Sequence, residues 1–196
     1  MIREGLAQAQ RKEPPLRGEV EVDETYLGGR RKGIRGRSGV KKVAVLGLRQ
    51  RGGPLRLIAV EDVSASTLQK RISRSVQRGS LLYTDRFVSY EGVERWGLIH
   101  RSLNKKEEGF RKGPICLNGI EGAWGWVKVR LRRFHGIPHT SYPLFLQEMQ
   151  FRFNFKGPDL FAALLQNLSS LSPSPKIAKR NPSSFSSLFL SNRAKI

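Results

Sequence analysis

The chain has 196 residues, with 36 Lys and Arg against 16 Asp and Glu, giving a formal net charge of +20. An excess of that size repels itself and seeks polyanions, so nucleic acid is the expected partner. A single cysteine, Cys116, excludes an intrachain disulfide and a zinc site of the paired-cysteine kind. No apolar run approaches the ~18 residues that read as a membrane span, and the first fifteen residues lack the apolar core of a secretory signal. A soluble, cytoplasmic protein in a reducing compartment is expected.

Residues 1–17 are polar and charged and end in Pro14-Pro15, which reads as a helix fragment and a linker. From Gly18 onward Val20 and Val22 alternate with polar residues, predicting a strand that ends near Thr25, and Gly28-Gly29 then turns the chain. Residues 30–42 are rich in Gly and Arg and read as a basic loop. KKVAVLGLRQ is a second strand, Gly52-Gly53-Pro54 a hairpin turn and LRLIAVEDV a third strand, together an antiparallel meander. STLQKRISRSVQRG reads as a helix capped by Ser66 or Thr67, with Leu68, Ile72 and Val76 as its apolar stripe and Gly79 as its end. SLLYTD is a short buried strand, FVSYEGVERWG a short helix and IHRSLN a fifth strand. KKEEGFRKGP is a polar loop, and two helices follow, NGIEGAWGWVKVRLRRF and SYPLFLQEMQFRFNFK, the latter with Pro143 in its first turn.

Beyond Asp159 there is no acid, and residues 169–191 hold nine serines with little periodicity, so a disordered basic tail is expected. The order β-β-β-α-β-α-β-α-α predicts a mixed α/β fold with helices covering one central sheet. The expected organisation is a linker over 1–17, one domain over 18–157 and a tail over 158–196.

Three acids stand isolated in basic surroundings. Ten Lys or Arg and no acid follow Asp23 and Glu24 between Arg30 and Arg56. Asp85 is the only acid between Asp62 and Glu91, and Glu121 the only one between Glu108 and Glu148. Carboxylates kept beside a phosphate-binding surface need a reason, and holding divalent cations against a phosphodiester is one. Strand alternation puts Glu21, Asp23 and Thr25 on the face opposite Val20 and Val22, and Glu24 with the valines. The bland alternative is a solvated strand face. Asp85 follows the apolar run Leu81-Leu82-Tyr83, where α/β proteins place ligands; capping of the next helix is its alternative. Asn118-Gly-Ile-Glu121 has capping-box spacing. Glu121, Trp124, Gly125 and Lys128 also fall on one helical face, so the acid could hold metal while Lys128 holds a flanking phosphate. Such a site requires the first and fourth strands to be neighbours.

VEVDETYLGG, YTDRFVSY, NGIEGAWGWVKVRLRR and FLQEMQFRFNFK, in that order, resemble the catalytic domain of IS1595-type (ISXO2-like) insertion-sequence transposases, from about Gly18 to Lys156. The resemblance implies a ribonuclease-H-like fold, its sheet being the three-strand meander plus further strands, with a DDE-type site. Asp23 and Asp85 match the first two positions. Glu121 is favoured for the third, with Asn118 as its rival. It further implies Mg²⁺ or Mn²⁺ as cofactor, transposon ends and target DNA as partners, and a homo-oligomer when active. Arg30, Arg31, Lys32, Arg35, Arg37, Lys128 and Arg132 would contact phosphates. Trp124 or Trp126 would pack the helix or stack on a flipped base, with packing favoured. Members usually show a His and a Thr or Val before the Asn, where Cys116-Leu117 stand here. They also carry an N-terminal zinc ribbon and helix-turn-helix, so a shortened chain with a frame-shifted tail is expected. The competing functions are a DNA-binding remnant without turnover and a ribonuclease of the same fold.

Overall fold

The computed structural model describes residues 2–10, 13–28, 42–103, 111–112, 115–155 and 157–169. The basic loop with Arg30, Arg31, Lys32, Arg35 and Arg37 lies outside them, as do residues 170–196 of the expected tail.

Five strands form the central sheet: β1 (Glu19–Leu27), β2 (Val43–Gln50), β3 (Leu55–Val60), β4 (Leu81–Asp85) and β5 (Ile99–Leu103), in the order β3-β2-β1-β4-β5. β2 runs antiparallel to β1 and β3, while β4 is parallel to β1 and β5. This is the ribonuclease-H-like arrangement, and its first three strands are the expected meander. The helices are α1 (Ile2–Gln10), α2 (Ala65–Ser75), α3 (Asn118–Leu131), α4 (Tyr142–Asn154) and α5 (Leu160–Ser169). α5 lies within the stretch read as tail. A two-rung hairpin, β6 (Arg111–Lys112) with β7 (Ile115–Cys116), follows β5.

The sheet has an apolar cluster on each face. On one side Val20, Val22, Leu46, Leu48 and Leu82 meet Leu68 and Ile72 of α2 and the buried ring of Tyr90. On the other, Val45, Leu57 and Tyr83 meet Ile120, Trp124 and Val127 of α3 and Leu146 and Met149 of α4. β1 sends its valines to the first cluster and turns Glu21 and Asp23 toward the second, as alternation requires.

β3 is an edge strand, and its outward backbone groups are taken by amide side chains of α4. Asn154 accepts from Leu55 N at 2.7 Å and donates to Leu55 O at 2.9 Å. Gln150 accepts from Leu57 N at 3.0 Å, and Gln147 donates to Leu57 O at 3.3 Å. α1 packs on α4 through Arg3, which donates to Glu148 at 2.6 Å and lies 3.8 Å from the Phe145 ring centroid.

The local structure departs from the sequence expectations at several points: α2 ends at Ser75, ahead of Gly79, because Val76 is already extended. Ser64, not Ser66 or Thr67, caps α2; its Oγ accepts from Thr67 N at 3.4 Å. FVSYEGVERWG forms two 3-10 turns, Val88–Tyr90 and Val93–Trp96, because Gly92 takes a left-handed φ of 83° between them. Asn118 is not the N-cap expected of it: α3 begins at Asn118 itself, Leu117 precedes it with no side-chain cap bond, and a residue from β1 accepts from Ile120 N in the first turn.

Candidate active site

β1 and β4 are neighbours, as the site required. Their register pairs Glu19 with Leu81, Val20 with Leu82 and Glu21 with Tyr83. The same offset separates Asp23 from Asp85, so Asp23, midway along β1, stands level with Asp85 at the C-terminal end of β4. That is where open α/β sheets place ligands.

Asp23 is buried, at 6% exposure, and Trp124 Nε1 donates to its Oδ2 at 3.1 Å. The indole reaches Asp23 because it lies over Gly47, which pairs with Asp23 on β2. Asp85 is half-buried, and its Oδ1 accepts from Phe87 N at 3.2 Å. Asp85 therefore closes the turn after β4 while staying at the strand end; it does not cap the following 3-10 turn, whose N-cap, Phe87, has no side-chain cap bond.

Glu24 points to the α2 face with the valines, as alternation predicts, and accepts a hydrogen bond from the Tyr90 hydroxyl. Burial raises its carboxyl above the ordinary range; the Tyr90 bond opposes that, and the charges of Asp85 and Asp23 add to it. Burial, then Glu24, with Asp23 and Asp85 adding, likewise holds the Tyr90 hydroxyl well above its usual value. Negative charge is thus concentrated at this end of β1 and β4. In the sequence pattern Glu24 holds only a minor place and Tyr90 none.

Glu21 is not part of a solvated face. It is 4% exposed, accepts from Ile120 N at 2.8 Å and pairs with Arg51 Nε at 3.1 Å. A carboxylate at a helix N-terminus satisfies an orphan N–H and complements the helix dipole. Glu21 so fixes the start of α3 on β1, two residues from Asp23. Gly119 permits the approach, since a Cβ there would meet Glu21 Oε2 at 2.7 Å.

Glu121 lies half-buried in the first turn of α3, and Asn118 is exposed at its first residue. The single helical face read from the sequence splits: Trp124 turns inward at 2% exposure, whereas Gly125 and Lys128 face outward. Arg132 is exposed beyond Lys128. Trp126 packs edge-on against Phe153 at 5.3 Å and under Arg130 at 3.6 Å. Both tryptophans therefore pack, as favoured.

For a hard divalent cation, Asp23 and Asp85 fit as a pair of oxygen donors on adjacent strands, in surroundings already rich in negative charge. Among the described residues, no group of three or more His, Cys, Asp or Glu is gathered closely enough to hold a metal ion. The register thus sets Asp23 and Asp85 level on adjacent strands, and the described residues gather no third acid with them into a metal-sized cluster. Among the described residues no helix is long and apolar enough to cross a membrane.

The strand order, with helices on both faces, defines a ribonuclease-H-like domain. The match to the ISXO2-like transposase domain model covers residues 15–154, and the chain belongs to that family. It is similar to an uncharacterized transposase-like protein of Haemophilus influenzae, 33% identical over 97 residues, which are 50% of this chain and 78% of the relative. Among solved structures it is similar to a chain of the simian T-cell lymphotropic virus intasome in complex with PP2A regulatory subunit B56 gamma. The TM-score is 0.45 at 12% identity, covering 88% of this chain and 61% of that one. It is also similar to the Mos1 transposase paired-end complex with left transposon end, with TM-score 0.37 at 13% identity, covering 86% and 60%. This chain therefore spans less than two thirds of either solved chain.

Proposed function

We propose that this domain cleaves DNA at the ends of an insertion sequence and joins the 3′-hydroxyl to target DNA, with Mg²⁺ or Mn²⁺ held by Asp23 and Asp85. The observation that carries this reading is the level placement of the two aspartates on the adjacent parallel strands β1 and β4, inside a transposase-family domain. Divalent cations at such a site activate an attacking hydroxyl and stabilise the leaving oxygen of a phosphodiester. Glu121 is the third donor on this reading, with Asn118 as the alternative. Trp124 holds Asp23 in one orientation, and Glu21 sets the helix that carries Glu121 against the strand that carries Asp23. Lys128 and Arg132, exposed along α3, would hold flanking phosphates. DNA is the partner, and a second copy of the chain joins when the ends are paired.

Labelled duplexes bearing the element's ends, incubated with Mg²⁺, test the proposal. Cleavage and strand transfer should disappear in Asp85→Asn, and comparing Glu121→Gln with Asn118→Ala assigns the third position. Cleavage that survives Asp85→Asn sinks the reading. DNA binding without turnover is the second reading, favoured by the net charge of +20 and by the exposed Lys128 and Arg132, which attract phosphate whether or not chemistry follows. It predicts salt-sensitive binding with no cut product.

A further inference from the structure

The ladder between β1 and β4 runs from Glu19 with Leu81 to Glu21 with Tyr83. Asp23 and Asp85 both lie past its last rung. Asp23 is held from the far side by its pairing with Gly47 on β2, and Asp85 by its pairing with Leu103 on β5. The ladder therefore stops short of fixing the distance between the two acids.

A side-chain bond crosses the gap instead. Tyr90, fully buried in the 3-10 turn after β4, donates its hydroxyl to Glu24, the neighbour of Asp23 on β1. The turn bearing Tyr90 is tied to Asp85, since Phe87 N donates to Asp85 Oδ1 and Tyr90 N donates to Phe87 O at 3.0 Å. It is also fastened to α2: buried Gln69 donates to the carbonyls of Ser89 at 3.1 Å and Glu91 at 2.8 Å. Tyr90 is thus a rigid arm, and Glu24 is the point where it grips β1.

We propose that the Tyr90–Glu24 hydrogen bond is the strut that sets the opening between Asp23 and Asp85, which makes both residues positioning residues for the metal site. This rests on the reading of Asp23 and Asp85 as metal donors. Groups that orient metal ligands typically cost about tenfold or more in affinity when removed.

Two measurements on the full chain test it: Mn²⁺ binding followed by electron paramagnetic resonance, and amide hydrogen exchange across residues 85–91 without metal. Tyr90→Phe keeps the buried ring and loses the donor; it should weaken Mn²⁺ binding about tenfold and speed exchange. Glu24→Gln keeps an acceptor for Tyr90, so exchange across residues 85–91 should stay near the parental rate. Parental exchange and binding in Tyr90→Phe overturn the strut. So does Glu24→Gln losing Mn²⁺ as severely as Asp23→Asn while Tyr90→Phe binds normally, since Glu24 is then itself a ligand. If the parent binds no Mn²⁺, or Asp23→Asn binds it unchanged, the metal-site reading fails on its own, and the exchange rates decide the strut.

Discussion

The ring of Trp124 fills the space above Gly47: a Cβ at that glycine would lie 2.4 Å from Cζ2 of the indole. Gly47 sits mid-strand in β2 and pairs with Asp23, so the missing side chain is what lets the indole N–H reach the carboxylate. Gly47→Ala should push the indole off this seat. Thermal and urea unfolding should register a loss of about 1–3 kcal/mol, typical of overpacking a filled core. Unchanged stability would mean that the helix can shift without penalty.

Trp124→Phe separates the hydrogen bond from the packing. The ring still fills much of the space over Gly47, but Asp23 Oδ2 loses its 3.1 Å donor. Stability should fall by about 1.5–3 kcal/mol, the range for a bond to a charged group. DNA cleavage should fall about tenfold or more, because the carboxylate loses its orientation. Parental cleavage in a stably folded Trp124→Phe would show that the bond serves folding alone.

Glu21 is expected to discriminate between acceptor and charge. Glu21→Gln retains an oxygen for Ile120 N and gives up the charge toward Arg51 and the helix dipole, a loss of about 1 kcal/mol. Glu21→Leu strands a buried N–H and breaks the Arg51 pair, a loss of about 3 kcal/mol or more. Urea titrations of the two variants give the comparison directly, and equal losses would remove the capping role assigned here.

His100 gives the fold a pH dependence. Its Nε2 lies 2.8 Å from Thr84 Oγ1, and the Thr84 hydroxyl already donates to Asp85 O, so the ring nitrogen donates to Thr84. Burial lowers the His100 pKa, with Glu94 (3.5 Å from Nδ1) and Glu91 pulling weakly the other way. A base with a folded-state pKa below its unfolded value binds fewer protons folded than unfolded. Its contribution is therefore full above about pH 6.5 and is lost as pH falls toward the lowered folded value. Unfolding curves at about pH 7.5 and about pH 5.5 should show this loss in the parent and a smaller one in His100→Gln. Equal slopes in the two proteins would assign the dependence to other groups.

Alternation in β1 placed Asp23 and Glu24 on opposite faces, and the Gly-Gly-Pro turn placed the meander, because both signals are local. The acids at 23 and 85 were legible for local reasons too: Asp23 from alternation and the basic stretch after it, Asp85 from the apolar run before it. What escaped was long-range. A cap of α3 comes from Glu21, 99 residues away from Ile120, a partner that no local window contains. Tyr90 read as one more aromatic on a short helix, and its bond to Glu24 spans 66 residues. Gly47 did carry a signal, since a glycine inside an otherwise apolar strand often marks a close approach. Nothing in the sequence said that a tryptophan makes it.

The amide row of α4 also bears on how copies of this domain could meet. Asn154, Gln150 and Gln147 act as a dummy sixth strand along Leu55 and Leu57. An incoming strand would find those hydrogen bonds already spoken for. Assembly by extending the sheet at these rungs is thereby closed off, and copies that met by pairing strands would have to use the opposite edge, β5.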